Sequence, residues 1–287
     1  MEIDEALVRR LVADQFPQWA HLPVRAVVPG GWDNRTFRLG DDLLARLPSA
    51  RPYAAQTAAE QQWLPRLAPL LPLPIPELVA AGAPGEAFPW SWSVLRWLPG
   101  DTADTVPHDE PLLATDLARF LQALHRCDPQ DGPLPGRRNG GRGGPLAIYD
   151  AEAQQAIAKL GPAIDGDRAR DRWRAALAAA WQAPPVWVHG DLWSTNLLVR
   201  DGRLAAVIDW GLMAVGDPAC DLAVAWRGFG PAGRAAFRAA RPADPGSWAR
   251  ARGWALWKLA ITAAGMSGRA SEAPLALAAL RDLLAGA

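Results

Sequence analysis

Asp191, Asn196 and Asp209 are the residues whose types and spacing in this chain match a known kind of chemistry. They stand in Val188-His189-Gly190-Asp191-Leu192-Trp193-Ser194-Thr195-Asn196-Leu197-Leu198-Val199 and in the Val207-Ile208-Asp209-Trp210-Gly211 that follows. Asn196 comes five positions after Asp191, and Asp209 thirteen after Asn196. Phosphoryl transfer asks a protein mainly to position groups and neutralise charge, because the phosphoryl oxygens are anionic and the transition state is loose. Hard Mg²⁺ prefers oxygen ligands and keeps several waters, so one Asp, one Asn carbonyl and the nucleotide phosphates make a sufficient cage. A second Asp left unliganded can then orient an attacking hydroxyl and take its proton.

These groups need a rigid frame. The runs Val186-Trp187-Val188, Leu197-Leu198-Val199 and Ala205-Ala206-Val207-Ile208 are short, apolar and bounded by turn residues, which predicts buried strands. Asp201-Gly202 supplies the hairpin turn between the last two. Side chains on such a hairpin hold their mutual geometry better than side chains on a free loop.

Together with the downstream Gly216-Asp217-Pro218-Ala219-Cys220-Asp221-Leu222-Ala223, these segments resemble the aminoglycoside phosphotransferase family, the small-molecule branch of the protein-kinase-like fold. The resemblance implies Asp191 as catalytic base, Asn196 and Asp209 as magnesium ligands, and Asp221 as a buried brace for the catalytic loop. Plainer readings stand beside some of these. Asp201 and Asp217 adjoin Gly and Pro and read as turn formers. Asp221 also opens an apolar run and suits a helix N-terminus. His189 reads as a hydrogen-bonded structural residue rather than a base, since Asp191 already fills that role.

A site of this type also needs a strand cation for the α/β-phosphates and a helical Glu to orient it. Arg46, in Leu43-Leu44-Ala45-Arg46-Leu47, and Glu60, in the predicted helix from Ala55 to Leu67, are the candidates. Arg offers a planar fork where Lys offers a point charge, and the only lysines, Lys159 and Lys258, lie far downstream. The competing reading of Arg46 is an exposed side chain on a strand edge. Gly30-Gly31-Trp32-Asp33-Asn34-Arg35-Thr36 resembles the family's nucleotide-covering hairpin, with Asn34 beside the cofactor. Ser91 to Gly100 reads as a strand ending at Pro99-Gly100. By resemblance it is the hinge between lobes, with Leu95 beside the nucleotide and backbone groups of Arg96 and Leu98 at the adenine edge; Leu95 and Trp97 equally suit plain core and surface positions.

A length of 287 residues with 50% hydrophobic content supports a large core and two lobes. The expected fold is α+β and bilobal, protein-kinase-like, with a small β-rich N-lobe over residues 1–96 and a larger, mainly helical C-lobe over 97–287. The Pro-rich stretch Leu70 to Pro76 reads as a rigid connector. A helix near Pro111 to Arg126 should send Leu112, Leu113, Leu117, Phe120, Leu121 and Leu124 into the core. Residues 128–146, rich in Gly and Pro and carrying Arg137, Arg138 and Arg142, read as a mobile basic loop, either a lid or a solvated connector. The thirty basic and thirty acidic residues balance, which indicates neither a nucleic-acid nor a membrane partner. Cys127 and Cys220 are too few for a disulfide framework and read as buried thiols of a reducing cytoplasm. Met1 to Glu5 begins an acidic helix without signal-peptide features, and no apolar run is long enough to span a membrane.

The expected activity is therefore nucleotide- and Mg²⁺-dependent phosphorylation, from ATP or GTP, of a hydroxyl on a small molecule. Family association favours an aminoglycoside. A polycation, however, calls for a carboxylate-rich pocket, and residues 222–287 hold only Asp244, Glu272 and Asp282 against nine basic residues. Acids elsewhere that could reach the cleft are Asp101, Asp104, Asp150 and Glu152. A less cationic hydroxylated metabolite or a macrolide is the alternative acceptor, and a catalytically silent kinase-fold binding protein is the alternative of a different class. Fifteen Trp residues, among them Trp226, Trp254 and Trp257, suit either core packing or stacking on an acceptor.

Overall fold

A computed structural model describes residues 2–28, 30–85, 87–268 and 270–286. The first helix, α1 (Glu5–Gln15), begins where the Asp4 carboxylate accepts the Leu7 amide at 2.8 Å, which satisfies one of the amides a helix start leaves open. Met1, the first residue of the acidic segment read from the sequence, is outside the described residues. Five antiparallel strands follow, β1 (Val24–Ala26), β2 (Asn34–Leu39), β3 (Leu43–Pro48), β4 (Leu78–Gly82) and β5 (Trp92–Arg96), in the spatial order β1-β2-β3-β5-β4. Alternation along β2 and β3 sends Phe37, Leu39, Ala45 and Leu47 inward against Leu7, Val8, Leu11 and Val12 of α1. Helix α2 (Arg51–Leu67) lies between β3 and β4 in the chain, and Trp63, Leu64 and Leu67 on its apolar face belong to a second, larger core.

That larger core is mostly helical. It contains α3 (Glu110–Leu124), α4 (Asp150–Leu160), α5 (Gly166–Ala178), α8 (Pro231–Ala240), α9 (Pro245–Ala263) and α10 (Ala273–Ala285). The short helices α6 (Ala219–Leu222) and α7 (Val224–Arg227) precede α8. Asp109, Asp165 and Asp244 cap α3, α5 and α9 through the amides three residues on. Trp63 of α2 meets Trp187 with ring centroids 5.1 Å apart, so the two halves of the chain share packed aromatic surface. Each buried side chain of this size contributes roughly 1.5–3 kcal/mol. Trp226, Trp254 and Trp257 are core residues, each under 5% exposed. Leu112 departs from expectation: it is 44% exposed in the first turn of α3, while Leu113 beside it, about 100° further round the helix, is buried.

Two small sheets carry the loop that holds Asp191 and Asn196. Strand β7 (Val186–Val188) pairs with β10 (Ala214–Gly216), while β8 (Leu197–Arg200) and β9 (Arg203–Val207) form a hairpin that β6 (Asp101–Thr102) extends. Asp201 and Gly202 turn the hairpin with φ of 55° and 74°, the left-handed pair that a two-residue turn requires. Among the described residues no helix is long and apolar enough to cross a membrane.

Candidate active site

The chain leaves β7 at Val188 and runs through His189-Gly190-Asp191 before entering the hairpin. Two bonds hold this run open: the Asp221 carboxylate, fully buried, accepts the amides of His189 at 2.8 Å and Gly190 at 2.7 Å. Asp221 thus braces this run, the role that the family resemblance implies for it. Gly190 sits at φ 86°, where a Cβ would stand 2.6 Å from the Leu212 carbonyl, so only glycine fits. His189 is structural, as expected. Its Nε2 lies 3.0 Å from the Ile208 carbonyl and its Nδ1 accepts the Asp191 amide at 3.2 Å, which assigns the proton to Nε2.

Asp191 emerges next to Arg227 of α7, whose Nη2 is 3.4 Å from Asp191 Oδ1. Arg227 in turn covers the Trp193 ring, 3.8 Å from its centroid. Burial pushes the Asp191 carboxyl up, but Arg227, Lys258, Arg142 and His189 outweigh it and hold the group below the usual carboxylate range. It is therefore charged at neutral pH. Asn196 is tied to the same loop, its Nδ2 donating to the Asp191 carbonyl at 2.8 Å. That bond uses the amide nitrogen and leaves the side-chain oxygen as the atom free to ligate. The Ile208 amide donates to the Asn196 carbonyl at 3.0 Å, which links the end of the hairpin to its beginning.

Asp209 follows at φ 64°. A left-handed conformation is costly for a residue with a Cβ, though least so for Asp and Asn, and such strain gathers at functional sites. Its side chain remains 42% exposed, and Oδ1 meets Nη2 of Arg46 at 2.5 Å. Arg46 reaches it from β3 while its other terminal nitrogen contacts Glu60 of α2 at 2.5 Å. Burial lowers the Arg46 guanidinium, but Glu60 and Asp209 more than offset this and hold it above its ordinary value. Burial pushes Glu60 up, against the pull of Arg46. Arg46 is thus no exposed edge residue: it ties the five-stranded sheet to the end of the β8–β9 hairpin. Among the described residues no three His, Cys, Asp or Glu side chains cluster to hold a metal unaided. The Asn196 oxygen and the outward oxygen of Asp209 fit Mg²⁺ in its usual role, with one or two protein oxygens completed by phosphates and water.

A family model described as the phosphotransferase enzyme family matches residues 25–255, which span every element of this site. The chain belongs to the phosphotransferase enzyme family. Its structure is similar to the GDP complex of wild-type aminoglycoside 2'-phosphotransferase-IIIa, with a TM-score of 0.74 at 19% identity over 99% of each chain. It is also similar to the macrolide 2'-phosphotransferase from Brachybacterium faecium, with a TM-score of 0.63, 24% identity, and coverage of 95% of this chain and 97% of that one. A third likeness is to the streptomycin-ATP-APH(2")-IIa ternary complex, at a TM-score of 0.61 and 18% identity over 91% of each chain. Among curated proteins none matches the sequence. The family and the shared architecture give the phosphotransferase a bilobal, kinase-like α+β fold.

The remaining nucleotide-side candidates lie around the five-stranded sheet. Asn34 opens β2 and is buried, its side-chain oxygen without a hydrogen-bond partner among the described residues, while Trp32 and Arg35 of the same segment are exposed. Leu95 is 4% exposed in β5. Arg96 is exposed, pairs with Glu77 at 3.3 Å and donates its amide to the Glu77 carbonyl, and Leu98 follows just past the strand.

Two readings of the phosphotransferase sequence need correction. Residues 128–146 are neither a lid nor a solvated connector. Val215 donates to the Pro133 carbonyl and Asp217 to the Gly143 carbonyl, each at 2.8 Å, and Arg138 donates to the carbonyls of Gly211 and Met213. Arg142 is 5% exposed; its Nε donates to the Gly190 carbonyl at 2.8 Å, and it reaches the Tyr149 hydroxyl at 3.0 Å. This loop is laid against the catalytic loop and braces it. Asp217 is more than a turn former: besides accepting the Ala219 amide, it makes a buried two-point ion pair with Arg250, at 2.6 and 3.2 Å. Arg142 and Arg227 were missed as site residues. The signal for Arg142 was its setting in Gly140-Gly141-Arg142-Gly143-Gly144, since paired glycines mark close backbone approach. Arg227 carried no comparable signal.

Proposed function

We propose that this phosphotransferase transfers the γ-phosphoryl group of a nucleoside triphosphate to a hydroxyl of a small molecule. The observation that carries the proposal is Arg46 standing between Glu60 and Asp209, three charges brought together from β3, α2 and the end of the catalytic hairpin. In this reading Arg46, oriented by Glu60, contacts the α- and β-phosphates, and Asn34, Leu95, Arg96 and Leu98 border the base and ribose. Asn196 and Asp209 would hold Mg²⁺, which when bound would supply charge neutralisation at the phosphate oxygens. Asp191, kept ionised by Arg227, orients the acceptor hydroxyl and accepts its proton. The hydroxyl oxygen bonds to the γ-phosphorus as the bond to the bridging oxygen breaks, and a nucleoside diphosphate leaves. The GDP- and ATP-bound structures of similar fold support a purine nucleotide as donor, and their aminoglycoside and macrolide names support a hydroxylated antibiotic-sized acceptor. The buried free thiols of Cys127 and Cys220 fit a reducing cytoplasm.

The test is Mg²⁺-dependent nucleotide turnover with mass-spectrometric detection of a phosphorylated acceptor, compared with Asp191→Asn. The variant should keep nucleotide binding and lose transfer at least a hundredfold. Full activity in Asp191→Asn would remove Asp191 from the chemistry and favour a binding protein of the same fold.

A further inference from the structure

The Asp221 carboxylate lies in the interior with no exposure, where an acidic group needs donors and a compensating charge. Its donors are the amides of His189 and Gly190. The buried arginines of this region serve other groups: Arg250 pairs with Asp217, and Arg142 donates to Gly190, Gly140 and the Tyr149 hydroxyl. What faces Asp221 is the imidazole of His125, at the C-terminal cap of α3. Its Nε2 stands 3.8 Å from Asp221 Oδ2, with the two side chains 6% and 0% exposed. That separation is an ion–dipole contact rather than a hydrogen bond, and Nε2 has no hydrogen-bond partner among the described residues.

The far side of the ring explains which way its proton points. Nη2 of Arg241, the residue that ends α8, lies 2.9 Å from His125 Nδ1. A guanidinium offers only N–H groups, so Nδ1 accepts and the ring proton sits on Nε2, on the side of Asp221. The two helix ends are strapped side by side at this point, since Gln122 Nε2 donates to the Ala240 carbonyl at 2.6 Å and Arg241 Nη1 to the Pro242 carbonyl at 2.8 Å. Burial and the like charge of Arg126 lower the Arg241 guanidinium from its ordinary value. Among the described residues no carboxylate forms an ion pair with Arg241. The remaining titratable neighbour of Asp221 is Cys220, its Sγ 4.0 Å from Oδ1; burial, Asp221 and Asp217 push that thiol well up, so it stays neutral.

We propose that Arg241, acting through His125, supplies the positive side of the field that holds Asp221 beneath the catalytic loop, which makes His125 and Arg241 positioning residues for Asp191. The inference rests on the phosphotransferase reading only where turnover is the readout. The bond from Arg241 draws electron density from the imidazole and strengthens the Nε2–H dipole that meets the carboxylate. It also excludes the other tautomer: a proton on Nδ1 would confront the guanidinium N–H and turn the Nε2 lone pair toward Asp221. A charge at the end of α8 thereby reaches Gly190, the residue before Asp191, in three steps.

The experiment uses the full chain with ¹⁵N-labelled histidine rings, of which there are four, and two-bond ¹H–¹⁵N spectra at neutral pH, the His125 signals being identified by their loss in His125→Gln. The expected parent spectrum shows His125 with Nε2 protonated and Nδ1 bare, and Arg241→Leu should shift it toward the Nδ1–H form and reduce hydrogen-exchange protection of the His189 and Gly190 amides. In turnover, Arg241→Leu and His125→Leu should each lower kcat about fivefold or more with nucleotide KM within about twofold. His125→Gln, whose amide can place an N–H where Nε2–H stands, should recover most of that loss. In an Asp221→Asn background, His125→Leu should change kcat by less than about twofold. A parent ring protonated at Nδ1, a tautomer and amide protection unmoved by Arg241→Leu, or an equal loss of kcat with and without the Asp221 carboxylate would overturn the inference. Should His125→Leu fail to fold, Arg241→Leu at the part-exposed end of α8 and the ring spectra decide it. Absence of transfer by the parent chain would instead defeat the phosphotransferase reading, while the tautomer and the amide protection still decide the link from Arg241 to Asp221.

Discussion

Replacing Asp221 by Asn tests the brace beneath the catalytic loop without changing its volume. The native carboxylate accepts two backbone amides, from His189 and Gly190, on separate oxygens, with no exposure to solvent. Whichever way the new amide turns, one of its positions is an NH₂ facing a backbone N–H. One charge-assisted bond is lost, worth about 1.5–3 kcal/mol, and one buried donor is stranded at a further cost of about 1–3 kcal/mol. Some of this overlaps, so the expected destabilisation is about 3 kcal/mol, a large share of the roughly 5–15 kcal/mol that holds a domain folded. Urea unfolding should show a lower midpoint with an unchanged slope. Gly190 directly precedes Asp191, so the displaced loop should also lower kcat at least tenfold while nucleotide KM stays within about twofold. A cost below about 1 kcal/mol, or a kcat equal to that of the parent, would refute the assignment of Asp221 as the support on which Asp191 is aimed.

Other expectations follow from the same geometry. Arg250→Met strands the buried Asp217 carboxylate and should cost about 3–5 kcal/mol, whereas the double change with Asp217→Asn should recover over half of that; additive losses in urea unfolding would contradict the pairing. Arg227→Gln removes the strongest charge holding Asp191 below the carboxylate range, so the acid limb of the kcat/KM profile should move to higher pH. The sign for stability is the same: Asp191 contributes above its unfolded pKa and loses that contribution as pH falls through the depressed folded value, a loss the variant should shrink. Arg46→Ala should raise nucleotide KM about tenfold or more with acceptor KM little changed, measured by initial rates at fixed acceptor.

The parts of this site that can be read from the chain alone are those whose residue type and local spacing determine their position. Asp191, Asn196 and Asp209 sit at the ends of short apolar runs, and a strand pattern leaves little choice about where such residues emerge. Arg46 and Glu60 were legible for a similar reason, each lying on an element with clear periodicity. Residues 128–146 were misread because Gly, Pro and Arg compose a solvated connector as readily as a strap pressed against backbone. What separates the two is the destination of hydrogen bonds such as those from Arg142 to Gly190 and from Asp217 to Gly143. Asp217 looked like a turn because its partner, Arg250, lies 33 positions away on α9. Arg227 shows the limit most plainly: a helix turn carried it onto Asp191, and no local pattern encodes that meeting. Arg269, one of the basic residues counted from the sequence, is outside the described residues.

The bond from Ile208 to Asn196 has a kinematic consequence. It closes the hairpin so that Asn196 and the residue preceding Asp209 belong to a single ladder, whereas Arg46 is anchored in the five-stranded sheet. A tilt of one sheet against the other therefore leaves the spacing of the two oxygen donors nearly constant and changes chiefly one length, that between Arg46 and Asp209. The hairpin acts as a fixed gauge and the arginine as its sliding contact, so opening and closing of the cleft reduces to a single coordinate that a pair of spectroscopic labels on β3 and β9 can follow.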